Sequence, residues 1–261
     1  MIITLLKSRR LVAELVLRDL RNRYTGSILG FFWSVLNPLI QLILYTVVFS
    51  IVLKVRIGPD ASAGQFAIYL FCGLLPWIAI QESATRSATG FIEHSNIIKK
   101  LSFPIETIHF SLVLSSLIHQ VLGTLVFLAV LAATGNAHYH TLILIVPLMA
   151  TQCLFMYGIG MIIASIQTFF RDVLHIIGVG FQALFWATPI VYSKDKLAEP
   201  YTVILDLNPF THLLEGYRWA LIGDPAPSPA GIIYWTACGV ILYFLGRVVL
   251  RRARPVILDL I

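Results

Sequence analysis

The ionisable side chains of this chain are sparse, and their spacing supports little chemistry of its own. Glu82 and Arg86 stand four apart, the separation at which opposite charges pair on a helix. His119 is the ionisable group nearest the centre of an apolar run, whereas His109 and His175 lie closer to the ends of theirs. Ionisable groups inside a bilayer are costly and mark ion or proton pathways. A lone His119 reads more plainly as a hydrogen-bond partner for a neighbouring helix. His138-Tyr139-His140 has no nearby carboxylate or Cys to complete a metal set. Cys72, Cys153 and Cys238 are odd in number and lack metal-like spacing, so they read as packing residues without a disulfide. No Ser-His-Asp or paired-carboxylate arrangement emerges. No G-x-x-x-x-G-K-[ST] loop is present, so the chain cannot bind ATP by that route. Gly158-x-Gly160 and Gly178-x-Gly180 lie within apolar runs. With Gly26-x-x-x-Gly30 they read as places where helices pack closely or bend.

Aromatic rings are the more abundant resource. Trp33, Tyr45, Phe49, Trp77, Phe185 and Tyr192 are candidates for a pathway lining, since rings facing a pore can stack on sugars. The competing reading places most of them in interface belts or in packing. With so few buried charges a proton- or sodium-driven carrier lacks its means, so the energy for any transport comes from outside this chain.

The elements that position these groups follow from composition. The chain has 261 residues, 58% of them hydrophobic and 12% charged. Soluble domains carry about 25% charged residues. With a mean hydropathy of +0.84, the surplus apolar surface has to face lipid. The net charge of +6 does not form one broad patch of the kind that binds nucleic acid; the cations cluster beside apolar spans. A helix crossing a core of about 30 Å needs about 20 apolar residues. Six stretches qualify, near residues 28–53, 66–87, 105–133, 141–168, 173–193 and 231–250. The second has a polar second half (Gln81, Glu82, Thr85, Arg86), and the fifth ends at Thr188-Pro189. No cleavable signal peptide is expected, because the first apolar run is too long for one. If both termini are inside, the cytoplasmic loops and tails hold most of the nineteen Lys and Arg residues. Only Lys54, Arg56, Lys194, Lys196 and Arg218 are left outside. That asymmetry predicts an N-in, C-in protein.

Between the spans, residues 8–24 form an amphipathic helix candidate. Val12, Leu15, Val16 and Leu20 share one side; Glu14, Arg18 and Arg21 share another, with Glu14 and Arg18 in pairing order. Such a helix lies in the cytoplasmic interface, and a soluble helix touching a partner is the alternative. Residues 89–104 alternate charge with Phe91, Ile92, Ile97, Ile98 and Leu101. They suit a groove on a partner and equally a simple positive-inside loop. Phe169-Phe170-Arg171-Asp172 reads as a tight turn whose charges cap helix ends or pair across subunits. Residues 194–230 contain apolar pieces too short to span, punctuated by proline. They predict one or two short re-entrant or interfacial helices near the outer mouth.

Several motifs in order carry a family resemblance. Arg18-Asp19-Leu20-x-x-Arg23-Tyr24-x-x-Ser27-x-Leu29-Gly30-x-x-Trp33-x-x-x-Asn37-Pro38 opens the set. Gly73-Leu74-Leu75-Pro76-Trp77 and Asn96-x-Ile98-Lys99-Lys100-x-x-Phe103-Pro104 follow. Phe170-Arg171-Asp172-Val173, Thr188-Pro189-Ile190-x-Tyr192 and Asn208-Pro209-Phe210 complete it. The chain thereby resembles the type-2 ABC transporter permeases that export polysaccharides. Pro104-Ile105-Glu106 departs from it, since relatives often place a basic residue between Pro and Glu.

The resemblance implies an all-α membrane protein: an N-terminal interface helix over residues 1–27 and a six-helix transmembrane domain over 28–261. It implies a coupling helix at 90–101, with Phe91, Glu93, Asn96, Ile97, Ile98, Lys99 and Lys100 seated on a separate ATPase. Arg18, Arg21, Arg23 and Tyr24 belong to the interface helix. Phe210, Leu213, Tyr217 and Trp219, within the region 194–230, belong to an external gate. It also implies a homodimer, two copies of a cytoplasmic ATPase that hold ATP and Mg²⁺, no cofactor or metal on this chain, and no nucleic acid. The implied substrate is a lipid-linked glycan such as O-antigen, capsule or teichoic acid, moved across the bacterial inner membrane. A type-2 permease for a drug or small lipid is the rival of the same fold. A membrane glycan polymerase or ligase is the rival of another class, but Asp195, Glu199, Asp206, Glu215 and Asp224 form no catalytic pattern in the long external connection.

Overall fold

The computed structural model describes residues 8–23, 25–53, 63–95, 98, 105–136, 138–170, 172–194, 198–223 and 225–260. Among them every regular element is helical. Helix α1 (Arg9–Asn22) buries Val12, Leu15 and Val16, the apolar side that the periodicity predicts. Glu14 and Arg18 stay exposed. Among the described residues, the ion pairs at this helix run instead through Asp19 and Arg23.

After a 3₁₀ turn at Gly30–Phe32, α2 (Trp33–Tyr45) leads into a π-helical stretch, Thr46–Val52. The Thr46 hydroxyl donates to the Leu42 carbonyl at 2.7 Å, a back-bond of the kind that bends helices. Then come α3 (Ala63–Glu93), α4 (Ile105–Ala133), α5 (Ile145–Phe169) and α6 (Val173–Ala187). Two short helices follow, α7 (Tyr201–Leu207) and α8 (Pro209–Ile222), and α9 (Pro229–Leu260) closes the chain.

Four segments are long and apolar enough to cross a membrane: Gly64–Glu93, Ile105–Ala133, Leu142–Phe169 and Pro229–Leu258. The other two apolar segments, Val35–Phe49 and Val173–Ala187, are shorter. At 1.5 Å per residue, the 15 residues of α6 cover only about 22 Å of a core near 30 Å. It breaks at Thr188-Pro189, where the sequence anticipates a break. Helix α3 continues past the predicted span end to Glu93, so the first residues expected in the coupling helix prolong a membrane helix.

Helix α3 is central and packs on α4, α5, α6 and α8, while α5 and α9 form the most extensive pair. Two glycines explain that closeness. A Cβ on Gly158 would stand 2.5 Å from the Leu242 carbonyl carbon and the Tyr243 nitrogen, and one on Gly246 would meet the Gly158 carbonyl. Gly178 and Gly180 on α6 meet nothing within 4 Å. The two Gly-x-Gly pairs therefore differ: one is a helix crossing, the other lies on an open face. Helix α6 also exposes Ile176, Val179 and Trp186, α2 exposes Ile43, and the π-helical stretch after it exposes Val47 and Val48.

Candidate functional site

Where α1 ends against α3 and α4, four charges close into a ring. Asp19 pairs with Arg23 one turn on, at 3.4 Å, and with Arg86 of α3. Glu82 pairs with Arg23, and lies 3.8 Å from Arg86. Two carboxylates and two guanidiniums alternate, so the cluster is neutral as a whole. Its side chains are only 16–23% exposed.

Helix α4 supplies the surrounding hydrogen bonds. Ser115 donates to Asp19, Ser116 donates to Glu82 at 3.3 Å, and Arg23 donates to Ser115 at 3.3 Å. His119 Nδ1 lies 3.1 Å from the Glu82 carboxylate. The Arg23 guanidinium lies 3.3 Å from the same ring nitrogen, so His119 touches both signs of charge in the ring. Burial pushes the Asp19 carboxyl up, but its bonds to Arg86 and Ser115 and the charges of Arg86 and Arg23 outweigh that and hold it below the usual range. Such a neutral, cross-bonded cluster can be held at low exposure, and it ties α1 to α3 and α4.

Deeper in the bundle, Gln120 and Gln152 exchange amide hydrogen bonds at 3.2 and 2.8 Å. The Tyr217 hydroxyl donates to Gln152 at 2.5 Å and accepts from Gln120 at 2.9 Å. Gln152 also donates to the Pro76 carbonyl at 3.3 Å. These bonds join α3, α4, α5 and α8 and satisfy polar groups that lipid would leave bare. His109 on α4 stacks on Tyr157 of α5 at 5.1 Å between centroids and donates from Nε2 to its carbonyl at 3.0 Å.

A third cluster joins two of the resemblance motifs. Helix α6 ends at Thr188, and the carbonyls beyond a helix end need donors. Arg218 of α8 supplies them, to Pro189 at 2.7 Å and Ile190 at 3.2 Å, with its guanidinium 3.6 Å above the Tyr69 ring. Asn208 donates to the Ala187 carbonyl and the Thr188 hydroxyl at 3.2 and 2.9 Å, and caps α8 by accepting from the Phe210 amide at 3.0 Å. Arg218, expected among the external cations, is thus 2% exposed and clamps three segments together. Beside it lies a polar cavity of about 280 Å³ lined in part by Lys194, Asp206, His212 and Glu215. Lys194 pairs with Asp206, and His212 lies 3.6 Å from Glu215. The hydrogen bond to Glu215 raises the His212 pKa; burial opposes this, and the Asp206 carbonyl adds to it.

The predicted site residues fall into separate places. Arg23 enters the charge ring, Arg18 and Arg21 remain exposed, and Tyr24 lies outside the described residues. Of the pathway candidates, Trp77 is buried, with Phe210, Phe181 and Phe185 edge-on at 5.4, 5.6 and 6.0 Å. Trp77 and Phe185 therefore form part of the core of one subunit. Tyr45 and Phe49 pack in series against Phe66 at 6.0 and 5.7 Å. Trp33 donates to Ser27 at 3.0 Å and Tyr192 to the Trp186 carbonyl at 3.1 Å, and both stay partly exposed. In the gate set, Phe210, Leu213 and Tyr217 are core residues, while Trp219 is half-buried and its carbonyl accepts the Gly223 amide that ends α8. Phe91 and Ile98 turn inward and Glu93 is exposed. Asn96, Ile97, Lys99, Lys100 and Arg171 lie outside the described residues. The links of α1 to α3 in the ring could not be read from spacing, because Asp19 and Arg86 are 67 residues apart. The only hints were the polar second half of span two and the isolated His119.

A helical, multi-pass membrane protein with buried polar ties and no ATP loop is the class that these features define. The chain belongs to the ABC-2 type transporter family, whose pattern matches residues 10–222. It is 31% identical over 239 residues to an O-antigen export system permease protein RfbA of Klebsiella pneumoniae, covering 91% of this chain and 89% of that one. It is 28% identical over 248 residues to the protein of that name from Myxococcus xanthus, at 94% and 93% coverage. It is 23% identical over 248 residues to the polysialic acid transport protein KpsM of Escherichia coli, at 95% and 95% coverage.

Proposed function

We propose that this chain is the membrane subunit of an ATP-driven exporter that moves a lipid-linked polysaccharide out across the bacterial inner membrane. The observation that carries this reading is end-to-end similarity to permeases named for O-antigen export and polysialic acid transport. In this reading α2 and α6 complete six spans, both termini lie in the cytoplasm, and two copies of the chain enclose the path. The open, apolar faces of α2 and α6 support a second subunit there, since small residues let membrane helices approach closely. Two cytoplasmic ATPase subunits bring ATP and Mg²⁺ and seat on residues 90–101. The charge ring then transmits their motion, because it fastens α1 to the helix that runs directly into that segment.

Deletion followed by rescue tests the reading. Without the chain, undecaprenyl-linked glycan accumulates on the cytoplasmic face, and the intact gene restores its surface display. Unchanged surface glycan in the deletion strain would refute the proposal.

A further inference from the structure

A groove of about 870 Å³ runs between α1, α4 and α5, with Tyr243 of α9 also in its wall, apart from the charge ring, the Trp77 cluster and the Arg218 clamp. Its size is that of an ordinary small-molecule site, about 300–1,000 Å³. Its walls are helical stripes. Helix α4 presents Phe110, Leu114 and Ile118, one turn apart. Helix α1 contributes positions 9, 12, 13, 16 and 17, which is a single helix face. All of these are apolar except the first. Among the described residues, Arg9 is the only charged side chain lining the groove, and it stands at one end of the α1 stripe.

That end is strongly electropositive. Arg9 and Arg10 are the first two residues of α1, there is no acidic residue in its first turn, and Ser8 makes no side-chain capping bond. Two cations on the positive end of a helix repel it, and an anion there relieves both. Among the described residues, Arg9 and Arg10 take part in none of the ion pairs. An apolar channel with an unneutralised cationic mouth, beside an interfacial helix, has the chemistry of a lipid tail joined to a phosphate.

We infer that an anionic phospholipid of the cytoplasmic leaflet occupies this groove, with its phosphate at Arg9 and the first turn of α1 and an acyl chain between α1, α4 and α5. The transport substrate fits less well, because the wall is mostly aliphatic and no residue of α2, α6 or α8 lines the groove. A folded ATPase surface would be too polar for it. The lipid therefore anchors the N-terminal end of α1, while the charge ring holds the C-terminal end. This inference does not depend on what the complex transports.

The test uses the permease–ATPase complex in nanodiscs that contain tail-photoactivatable phosphatidylglycerol or phosphatidylcholine, with labelled peptides mapped by mass spectrometry. Phosphatidylglycerol should label segments 110–118 and 150–157 severalfold more than phosphatidylcholine. Arg9→Gln should lower that labelling about fivefold, as expected for one interfacial cation. Ala150→Phe should reduce labelling by both lipids by filling the groove, while the exposed Arg9 variant leaves the packing intact. Equal labelling by the two lipids, or unchanged labelling of Arg9→Gln, would overturn the inference. So would displacement of the probe by a polyprenyl diphosphate but not by phosphatidylglycerol, since the groove would then belong to the substrate.

Discussion

Replacing Gly158 by alanine should separate the α5–α9 pair that holds the last span to the bundle. The new Cβ would stand 2.5 Å from two backbone atoms and 2.8 Å from the Leu242 carbonyl oxygen. Non-bonded carbon contacts settle near 3.5–4.0 Å, so the helices must part by roughly 1 Å. Backbone cannot rotate away as a side chain can. Overpacking of this kind costs about 1–3 kcal/mol, and better helix propensity returns about 1 kcal/mol. A clash with backbone on both atoms belongs at the upper end of that cost, and the resulting net loss of about 2 kcal/mol corresponds to a midpoint lowered by about 4–8 °C for a chain of this size. Valine should cost more. Gly246→Ala presses on the same crossing from the other side, so the double variant should lose less than the sum of the singles. Gly178→Ala is the control, as nothing lies within 4 Å of it. The assay is the heating midpoint of monodisperse protein on fluorescence-detected size exclusion. If Gly158→Ala melted with the wild type, the close crossing of α5 and α9 would be refuted.

Other perturbations separate the remaining clusters. Glu82→Ala leaves Asp19 to balance both Arg23 and Arg86 in a cluster only about one-fifth exposed and should cost on the order of 1–3 kcal/mol. An Arg23→Ala/Glu82→Ala cycle should show coupling of about 0.5–3 kcal/mol, and additive losses would dissolve the ring. Arg218→Met leaves the Pro189 and Ile190 carbonyls without their donor, and proteolysis near residues 188–194 should accelerate severalfold; unchanged cleavage would contradict the clamp. The raised His212 pKa stabilises the folded state below the ordinary histidine value, and that contribution fades as pH rises through the raised one. His212→Gln should therefore flatten the loss of thermal stability on the alkaline side, and an unchanged slope would exclude His212 as its source. Glu93→Lys reverses an exposed charge in the segment proposed to seat on the ATPase and should weaken ATPase co-purification; Ile98 is a poorer probe because it is buried in this chain.

Much of the architecture was legible because it is written in local periods. The apolar side of α1, the break at Thr188-Pro189 and the two short helices after residue 200 each follow from residues close in sequence. Helix ends were less legible: α3 runs on to Glu93 because nothing in its polar second half stops a helix. The clusters were least legible. Glu82 and Arg86 read as one local pair, yet each takes its main partner from α1, and no spacing rule links positions so far apart. Trp77 and Tyr217 show the same limit. An aromatic pattern marks a ring as interfacial, buried or pore-facing only once the helices around it are placed.

The most direct measurement is transport by the purified permease–ATPase complex in proteoliposomes loaded with lipid-linked polysaccharide. With ATP and Mg²⁺ supplied on the ATPase side, glycan should become accessible to a glycosidase on the opposite face, and a complex that cannot hydrolyse ATP should leave it protected. Brisk ATP hydrolysis with the glycan still protected, or glycan exposure without ATP, would contradict the assignment of this chain as the membrane path of a polysaccharide exporter.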